Sequence, residues 1–384
     1  PTNDWIEIWE MTINWTNNTG SVAKIQDVPI TEIDSDLCGL TSFSCIAQPG
    51  TTVKLDPLRE CVMYKAPMRV FQDHQAMALC LATDVNGNNR AGVRWLELRR
   101  PTGSTGAWTL YQEGTYAPGT TLNRWMPAIN IDKYGNIMLA YSTSGSTAPD
   151  YPSIQMTGRK ACDPLGQMTL PETMIKQGLS ARTSNTRWGD YHHMCIDDFD
   201  GLTFYYTGVV MNSNNNIVTN VSAFKMNPDS LDLAILDAYT TQTGGICGAS
   251  TQIAIIVENR GVNAINAFTV SSQIGTANPT SQAFTSSSLG GYQAIDTIFF
   301  TVSGLQAGSN NVLLQLANIN GLGNDENTCN DQFNLNINVI GASNVTVNAV
   351  VSQQPSCNAS NGVVVLQATG NNSPYTYALD NALA

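Results

Sequence analysis

The chain of 384 residues is 42% hydrophobic and only 12% charged, with a formal net charge of −12. That is length for about two or three domains, and a surface hydrated by Asn, Thr, Ser and Gln rather than by ions suits secretion better than the cytosol. Lys and Arg nowhere cluster, which excludes a phosphate-backbone partner, so no nucleic acid is expected. Apolar runs such as Ile253 to Val257 fall far short of the roughly 20 residues of a membrane helix, so no membrane insertion is expected either.

From Pro1 to about Asp237, short aromatic and β-branched runs alternate with turn residues and no helical periodicity is sustained, which reads as all β. A unit recurs within this region. Arg124-Trp125, Ile129 to Asp132, a turn at Gly135 and Ile137 to Ser142 are echoed by Arg187-Trp188, Met194 to Asp197, a turn at Gly201 and Phe204 to Thr207. A looser copy runs from Ala76 to Asp84, turns at Asn86-Gly87-Asn88 and continues from Gly92 to Trp95. Asp84, Asp132 and Asp197 are spaced by about 50 to 65 residues, the period of a four-stranded propeller blade. Residues 60–112, 124–175 and 185–228 make three blades, and WIEIWEMTINW, from Trp5 to Trp15, matches only the outer strand pair of another. A closed ring needs roughly four to eight blades, so on the order of 150 to 250 residues are expected before Pro1, or a second chain that completes the ring.

The expected domains are thus 1–237, the C-terminal blades of a β-propeller; 238–341, an immunoglobulin-like sandwich; and 342–384, the start of a small β repeat. The second rests on alternating runs at 251–259, 267–270, 296–302, 311–316 and 333–339, which imply about seven strands in about 100 residues. The third has strands at Val345 to Val347 and Gly362 to Leu366 and a turn at Ser373-Pro374; about 40 residues make a marginal core, so the chain is expected to continue past Ala384. After Lys225 the only basic residue is Arg260, and this part carries −8 of the −12.

The nine cysteines include no Cys-x-x-Cys and none beside a histidine pair, so zinc is not expected. Cys38 and Cys45 flank a short turn. Cys61 and Cys80 are equidistant from a bend near Val70 and Phe71, and Cys247 and Cys329 lie just outside the first and last strands of the sandwich. Each pair is expected to form a disulfide, which places the chain in an oxidising compartment. Nine is odd, and Cys357 is expected to lack a partner within the chain.

The stretch from about Asp56 to Thr207, with GVRWLELR, WTLYQEGTY, RWMPAINIDKYGN, YPSIQMTGR, DPLGQM, RWGDYHHM and IDDFDGLTFYYT in order, resembles the propeller of large secreted proteins of Bacteroidota exported by the type IX system. Residues 247–339, with VENRG, LQAGSNNVLLQL and NGLGNDEN, resemble a CARDB domain, the cell-adhesion-related module of bacteria. SCNASNGVVVLQATGNNSPYTYALD is similar to the SprB-type repeat of gliding and surface adhesins. Asn371-Asn372 replaces the paired glycines of that repeat, and His192-His193 replaces the Ser-rich position after GDY in the propeller family. The resemblance implies a long multidomain protein of the cell surface or of a surface appendage.

The chemistry is weighed residue by residue. Arg94-Trp95, Arg124-Trp125 and Arg187-Trp188, with Tyr191, are the candidate ligand-binding residues, because arginines clustered at a propeller axis clamp a sugar carboxylate. Recurrence once per blade is also what a structural repeat produces, with Trp filling the space between sheets, and this reading outweighs the first. A sialidase needs an acid and a nucleophile across the scissile bond; Asp190, Tyr191 and Glu97 are eligible but no motif joins them, so no catalytic residue is assigned. His192 and His193 point to opposite faces of a strand and do not meet one ion. Asp84, Asn86 and Asn88 have the alternating oxygens of a calcium loop, though Asn-Gly is also a common hairpin turn, and Asn324 to Asn327 is a weaker candidate. No other cofactor is expected. The expected function is a non-enzymatic extracellular adhesin or appendage subunit at the cell surface, whose partner is a surface glycan, a protein or copies of itself; the alternative is a sialidase-like glycoside hydrolase or glycan-binding propeller.

Overall fold

The computed structural model describes residues 4–39, 42–59, 61–243, 245–340, 346–359 and 361–369. Their regular structure is all β apart from one 3-10 turn at Ile319–Gly321, and no helix among them is long and apolar enough to cross a membrane. The chain divides into two units, Pro1–Met226 and Asn227–Ala384.

The first unit is a stack of small antiparallel sheets. Strands β1 (Asp4–Asn14) and β2 (Thr19–Ile30) form a hairpin. Strands β3 (Met68–Val70), β4 (His74–Asp84), β5 (Ala91–Pro101) and β6 (Thr109–Tyr116) form a four-stranded meander. A second meander consists of β7 (Asn123–Ile131), β8 (Ile137–Ser144), β9 (Ser153–Arg159) and β10 (Thr173–Lys176). The third sheet has β11 (His193–Ile196), β12 (Phe204–Met211) and β13 (Ile217–Phe224).

Strand alternation explains the stacking, since successive side chains leave a strand on opposite faces. Ala76, Ala78, Cys80 and Ala82 of β4, with Val93 and Trp95 of β5, pack toward the second meander, meeting Ile137, Leu139 and Tyr141 of β8. Leu79, Leu81, Leu96 and Leu98 leave the other face and meet Val28 and Ile30 of the hairpin. Met138 and Ala140 of β8 likewise turn away from the first meander toward Met194, Phe204 and Tyr206 of the third sheet. Both meanders are therefore buried on both sides, which is why their strands read as continuous apolar runs. The outer face of the hairpin has no such cover: Trp5, Trp9, Met11, Ile13 and Val22 are exposed on it.

The recurring aspartates are turn caps. Asp132 Oδ1 accepts the Tyr134 and Asn136 amides at 2.9 Å, closing the β7–β8 turn, and Asp84 and Asp197 accept loop amides in the same way. A carboxylate that bonds the amide two residues on is the Asx turn.

In the second unit β14 (Leu233–Thr240), β15 (Ser250–Asn259) and β18 (Ala294–Ser303) form one sheet. The other has the order β17 (Thr280–Thr285), β16 (Ala267–Ile274), β19 (Gly308–Ala317), β20 (Gln332–Val339). Ile253, Ile255 and Val257 from the first and Phe268, Val270, Leu314 and Leu316 from the second share one core. Because β14 pairs with β15 along its length, the break between units falls before it rather than after Asp237. A hairpin of β21 (Thr346–Gln353) and β22 (Val363–Thr369) follows, with Val347, Val350, Val364 and Val365 exposed; the Ser373-Pro374 turn lies outside the described residues.

Of the expected disulfides, Cys38–Cys45 is formed, with Cα atoms 5.0 Å apart. Cys61 and Cys80 are not joined. The Met63 amide, not Cys61, sits opposite Cys80, donating to its carbonyl at 2.9 Å, while Cys80 stays a buried thiol in the core and Cys61 Sγ donates to the Leu58 carbonyl. Burial holds the Cys80 thiol far above its ordinary range. Cys247 is an exposed thiol and does not bridge Cys329. Its neighbour Ile246 pairs with Val339, at the far end of the eight-residue β20 from Cys329. That is about 26 Å along a strand, against the roughly 7 Å that limits a disulfide. The Ile246–Val339 bridge ties the sandwich ends instead. Cys357 is a free, exposed thiol, and so are Cys195, partly, and Cys247 fully.

Candidate ligand-binding site

The structure separates the three Arg-Trp pairs. Arg94, on β5, is 7% exposed; it pairs with Glu113 of β6 and donates to Thr115 Oγ1 at 3.2 Å. Arg124, on β7, is 2% exposed and grips Glu172 with two bonds, Nε to Oε1 at 2.7 Å and Nη2 to Oε2 at 2.9 Å. Both guanidiniums are thus spent within their own sheets. Trp95, Trp125 and Trp188 lie in the core between the two meanders, with Trp125 and Trp188 ring centroids 6.3 Å apart. Trp95 follows the Asp84 turn, whereas Trp125 and Trp188 precede theirs, so it does not occupy their place in the repeat.

Arg187 is different, with its side chain 57% exposed. It pairs with Asp190 and stands 3.6 Å from Asp56, on a segment held to residue 56 by the Asp56 amide bonding the Thr186 carbonyl at 2.9 Å. The same two loops bring together Tyr64 and Tyr191, half-exposed rings with centroids 5.1 Å apart and tilted by 40°. Tyr64 also bonds His193 Nδ1 through its hydroxyl. Burial and the nearby Lys65 ammonium hold His193 below the usual imidazole range, so it meets the Tyr64 hydroxyl as a neutral acceptor. The exposed Tyr64 and Tyr191 and the partly buried His193 therefore form one aromatic cluster, on the same two loops that hold the exposed Arg187 and its carboxylates. Tyr64 and Asp56 were not legible as site residues, and His193 was weighed only as a metal ligand, because only the pairing of two distant loops brings them to Tyr191.

His192 faces the other way, into the core. The Val209 amide donates to its Nε2 at 3.3 Å and its Nδ1 lies 2.7 Å from the Tyr206 hydroxyl. Burial lowers the imidazole to about 4, as a second ring proton would oppose the Val209 N–H. The unfolded chain takes up that proton near pH 6.5, so His192 makes stability fall as pH drops from about 6.5 to about 4. Asp132 pulls the other way: burial raises its carboxyl to about 6 despite the Asn136 and Tyr134 bonds, and its penalty is relieved as pH falls through that value. His192→Gln is expected to shift the stability difference from wild type in the variant's favour by about 1.4 kcal/mol per pH unit across that window, about 3 kcal/mol in all. Urea unfolding of both proteins at pH 6.5 and 4.5 checks it; parallel profiles would show that His192 does not titrate this way.

The expected calcium loop uses its oxygens on itself. Asp84 accepts the amides of Asn86, Gly87 and Asn89, and Asn86 Oδ1 those of Asn88 and Arg90. The hairpin-turn reading accounts for these residues. Among the described residues no group of three or more His, Cys, Asp or Glu is placed to hold a metal ion.

Taken together, the chain is an all-β protein of small antiparallel sheets, stacked in one unit and paired face to face in the other. No protein-family model matches it, and no curated protein matches it.

Proposed function

We propose that the protein is a non-enzymatic extracellular adhesin or appendage subunit, with the patch of Tyr64, Tyr191 and Arg187 as its glycan-binding surface. The observation that carries this reading is the burial of Arg94 and Arg124 in ion pairs within their own sheets. A sialidase clamp needs several free arginines converging on one carboxylate; here one is left, already beside Asp190. An exposed tyrosine pair beside it suits stacking on a sugar ring, which is binding without bond cleavage.

The finer architecture belongs to the same proposal. Three sheets stacked face to face, preceded by a hairpin covering only part of a sheet, support a reading as consecutive propeller blades. The sandwich places its first, second and fifth strands in one sheet and its fourth, third, sixth and seventh in the other. That is an immunoglobulin-like order with the fourth strand moved to the third strand's sheet. With the Cys38–Cys45 bond, which persists in oxidising surroundings, and the resemblance to type IX exported surface proteins, this supports a cell-surface head on serial modules. The exposed Trp5, Trp9 and Met11 favour a second reading, in which copies of the chain pack through the hairpin.

The test is a glycan array probed with the whole chain. Tyr64→Ala and Tyr191→Ala should each weaken the bound glycans by about 3- to 10-fold without altering the far-ultraviolet spectrum. Turnover of a fluorogenic sialoside that depends on Arg187 would overturn the proposal, as would binding indifferent to both tyrosines.

A further inference from the structure

One end of the sandwich concentrates acidic side chains. Asp232, just before β14, and Asp331, just before β20, are both 3% exposed, and the loop between β19 and β20 adds Asp325 and Glu326. Arg260 is the only basic residue beyond Lys225, and its guanidinium is engaged by Glu258 at 3.0 Å. Neutral donors serve the buried Asp232 and the half-buried Asp325. Asn330 Nδ2 and Asn327 Nδ2 donate to Asp232 at 2.8 and 3.1 Å, and the Leu233 and Asn327 amides donate to Asp325 at 2.6 and 3.0 Å.

Asp331 has no such service. Its Oδ1 is buried without any hydrogen-bond partner among the described residues, and so is the side-chain oxygen of its neighbour Asn330. A buried acceptor left unpaired costs about 1–3 kcal/mol, and more when charged, and in native proteins a bound water or ion is one of the usual reasons that such an atom persists. Two orphaned oxygens on adjacent residues, among four acidic side chains, point to a cation. All the neighbouring donors are hard oxygens, with no imidazole or thiolate ligand among them, which selects a calcium-class ion over zinc.

We propose that this end of the sandwich binds one calcium-class divalent cation, anchored by Asp331 Oδ1. Because no three carboxylates converge there, Asn330 Oδ1, main-chain carbonyls and water complete the shell, as the irregular coordination of calcium permits. Asp232 and Asp325 balance its charge from their hydrogen-bonded positions. The ion would fasten the loop of residues 318–331 to the segment leading into β14, which the Glu326 amide already joins through the Leu231 carbonyl at 3.1 Å. It is independent of the glycan-binding patch.

The whole chain, stripped with EDTA and dialysed, is titrated with calcium chloride by calorimetry and then melted with and without the ion. One binding event is expected, with a dissociation constant of about 0.1–1 mM, the range of extracellular modules. At a hundredfold excess over that constant the sandwich transition should rise by about 5–10 °C. Asp331→Asn should abolish both effects and Asp325→Asn should weaken binding about tenfold, whereas Asp84→Asn, in the self-capped hairpin turn, should leave binding unchanged. Absence of heat and of any shift at 10-fold above that range would overturn the proposal. So would calcium binding that survives Asp331→Asn and Asp325→Asn, or stabilisation by Asp331→Asn in a wild-type protein that ignores calcium.

Discussion

Replacing Glu172 by alanine is expected to destabilise the first unit by about 3–5 kcal/mol, the cost of stranding a buried charge. Glu172 lies just before β10, yet its carboxylate is shared across its whole sheet. Arg124 of β7 grips both oxygens, the Tyr141 hydroxyl of β8 donates to Oε1 at 2.7 Å, and the Gln155 amide of β9, with its nitrogen turned inward, donates at 2.8 and 3.1 Å. Burial and the adjacent carboxylate push the Tyr141 phenol far above its usual range, so this hydroxyl stays a donor at any ordinary pH. Removing the carboxylate leaves Arg124 charged, buried and short of acceptors, and strips donors on three strands of their common partner. Glu172→Gln keeps an acceptor and should cost less. Because the penalty comes from the stranded partner, Arg124→Met in the Glu172→Met background should recover most of the loss. Chemical denaturation of the wild type and these four variants measures it; a Glu172→Ala cost below about 1 kcal/mol would mean that the pair is a surface ion pair in energetic terms.

The same pair shows where the sequence is readable and where it is not. Strand positions and the aspartate-capped turns are local properties, fixed by alternation, β-branching and a carboxylate two residues before an amide, and they are visible in the residues around Asp84, Asp132 and Asp197. The partner of Arg124 is not local: Glu172 stands 48 residues away in sequence, and no spacing rule connects them. What was available is weaker but physical. An arginine inside a run such as Arg124 to Ile131, which is apolar on both faces, has to be neutralised by an acid, and that alone argues against a free clamp. The Cys61–Cys80 pairing failed for the mirror reason, whereas the local Cys38–Cys45 bond was legible. Equal distance from a bend places Cys61 and Cys80 opposite each other only if the chain turns where the symmetry says, and the offset that puts Met63 against Cys80 breaks the register. The charge imbalance beyond Lys225 was legible as a total, but composition does not tell that Asp232 and Asp331 are buried at one end of a sandwich. Nor does it tell that Tyr64 meets Tyr191, because that contact depends on which loops the stacking brings side by side.

Trp188→Ala is expected to cost about 3–5 kcal/mol, the range for emptying an aromatic site in a core that collapses only partly. Trp188 belongs to the segment before β11, yet its ring sits fully buried between the two meanders beside Trp125, so it pins the connection leading to the third sheet. The two indoles differ in one respect that separates packing from hydrogen bonding. Trp188 Nε1 donates to Ser142 Oγ at 2.8 Å, whereas Trp125 Nε1 is buried with no acceptor. Phenylalanine therefore removes volume at both sites but breaks a bond at only one, and Trp188→Phe should exceed Trp125→Phe by about 1–3 kcal/mol, the cost of leaving the Ser142 hydroxyl unpaired. Ser142→Ala should then be nearly free in the Trp188→Phe background and costly in the wild type, giving a coupling of about 1 kcal/mol in the double-mutant cycle. Equal costs for the two phenylalanine variants would mean that the Ser142 bond adds nothing, and that the tryptophan common to the repeat is kept between these sheets for its volume alone.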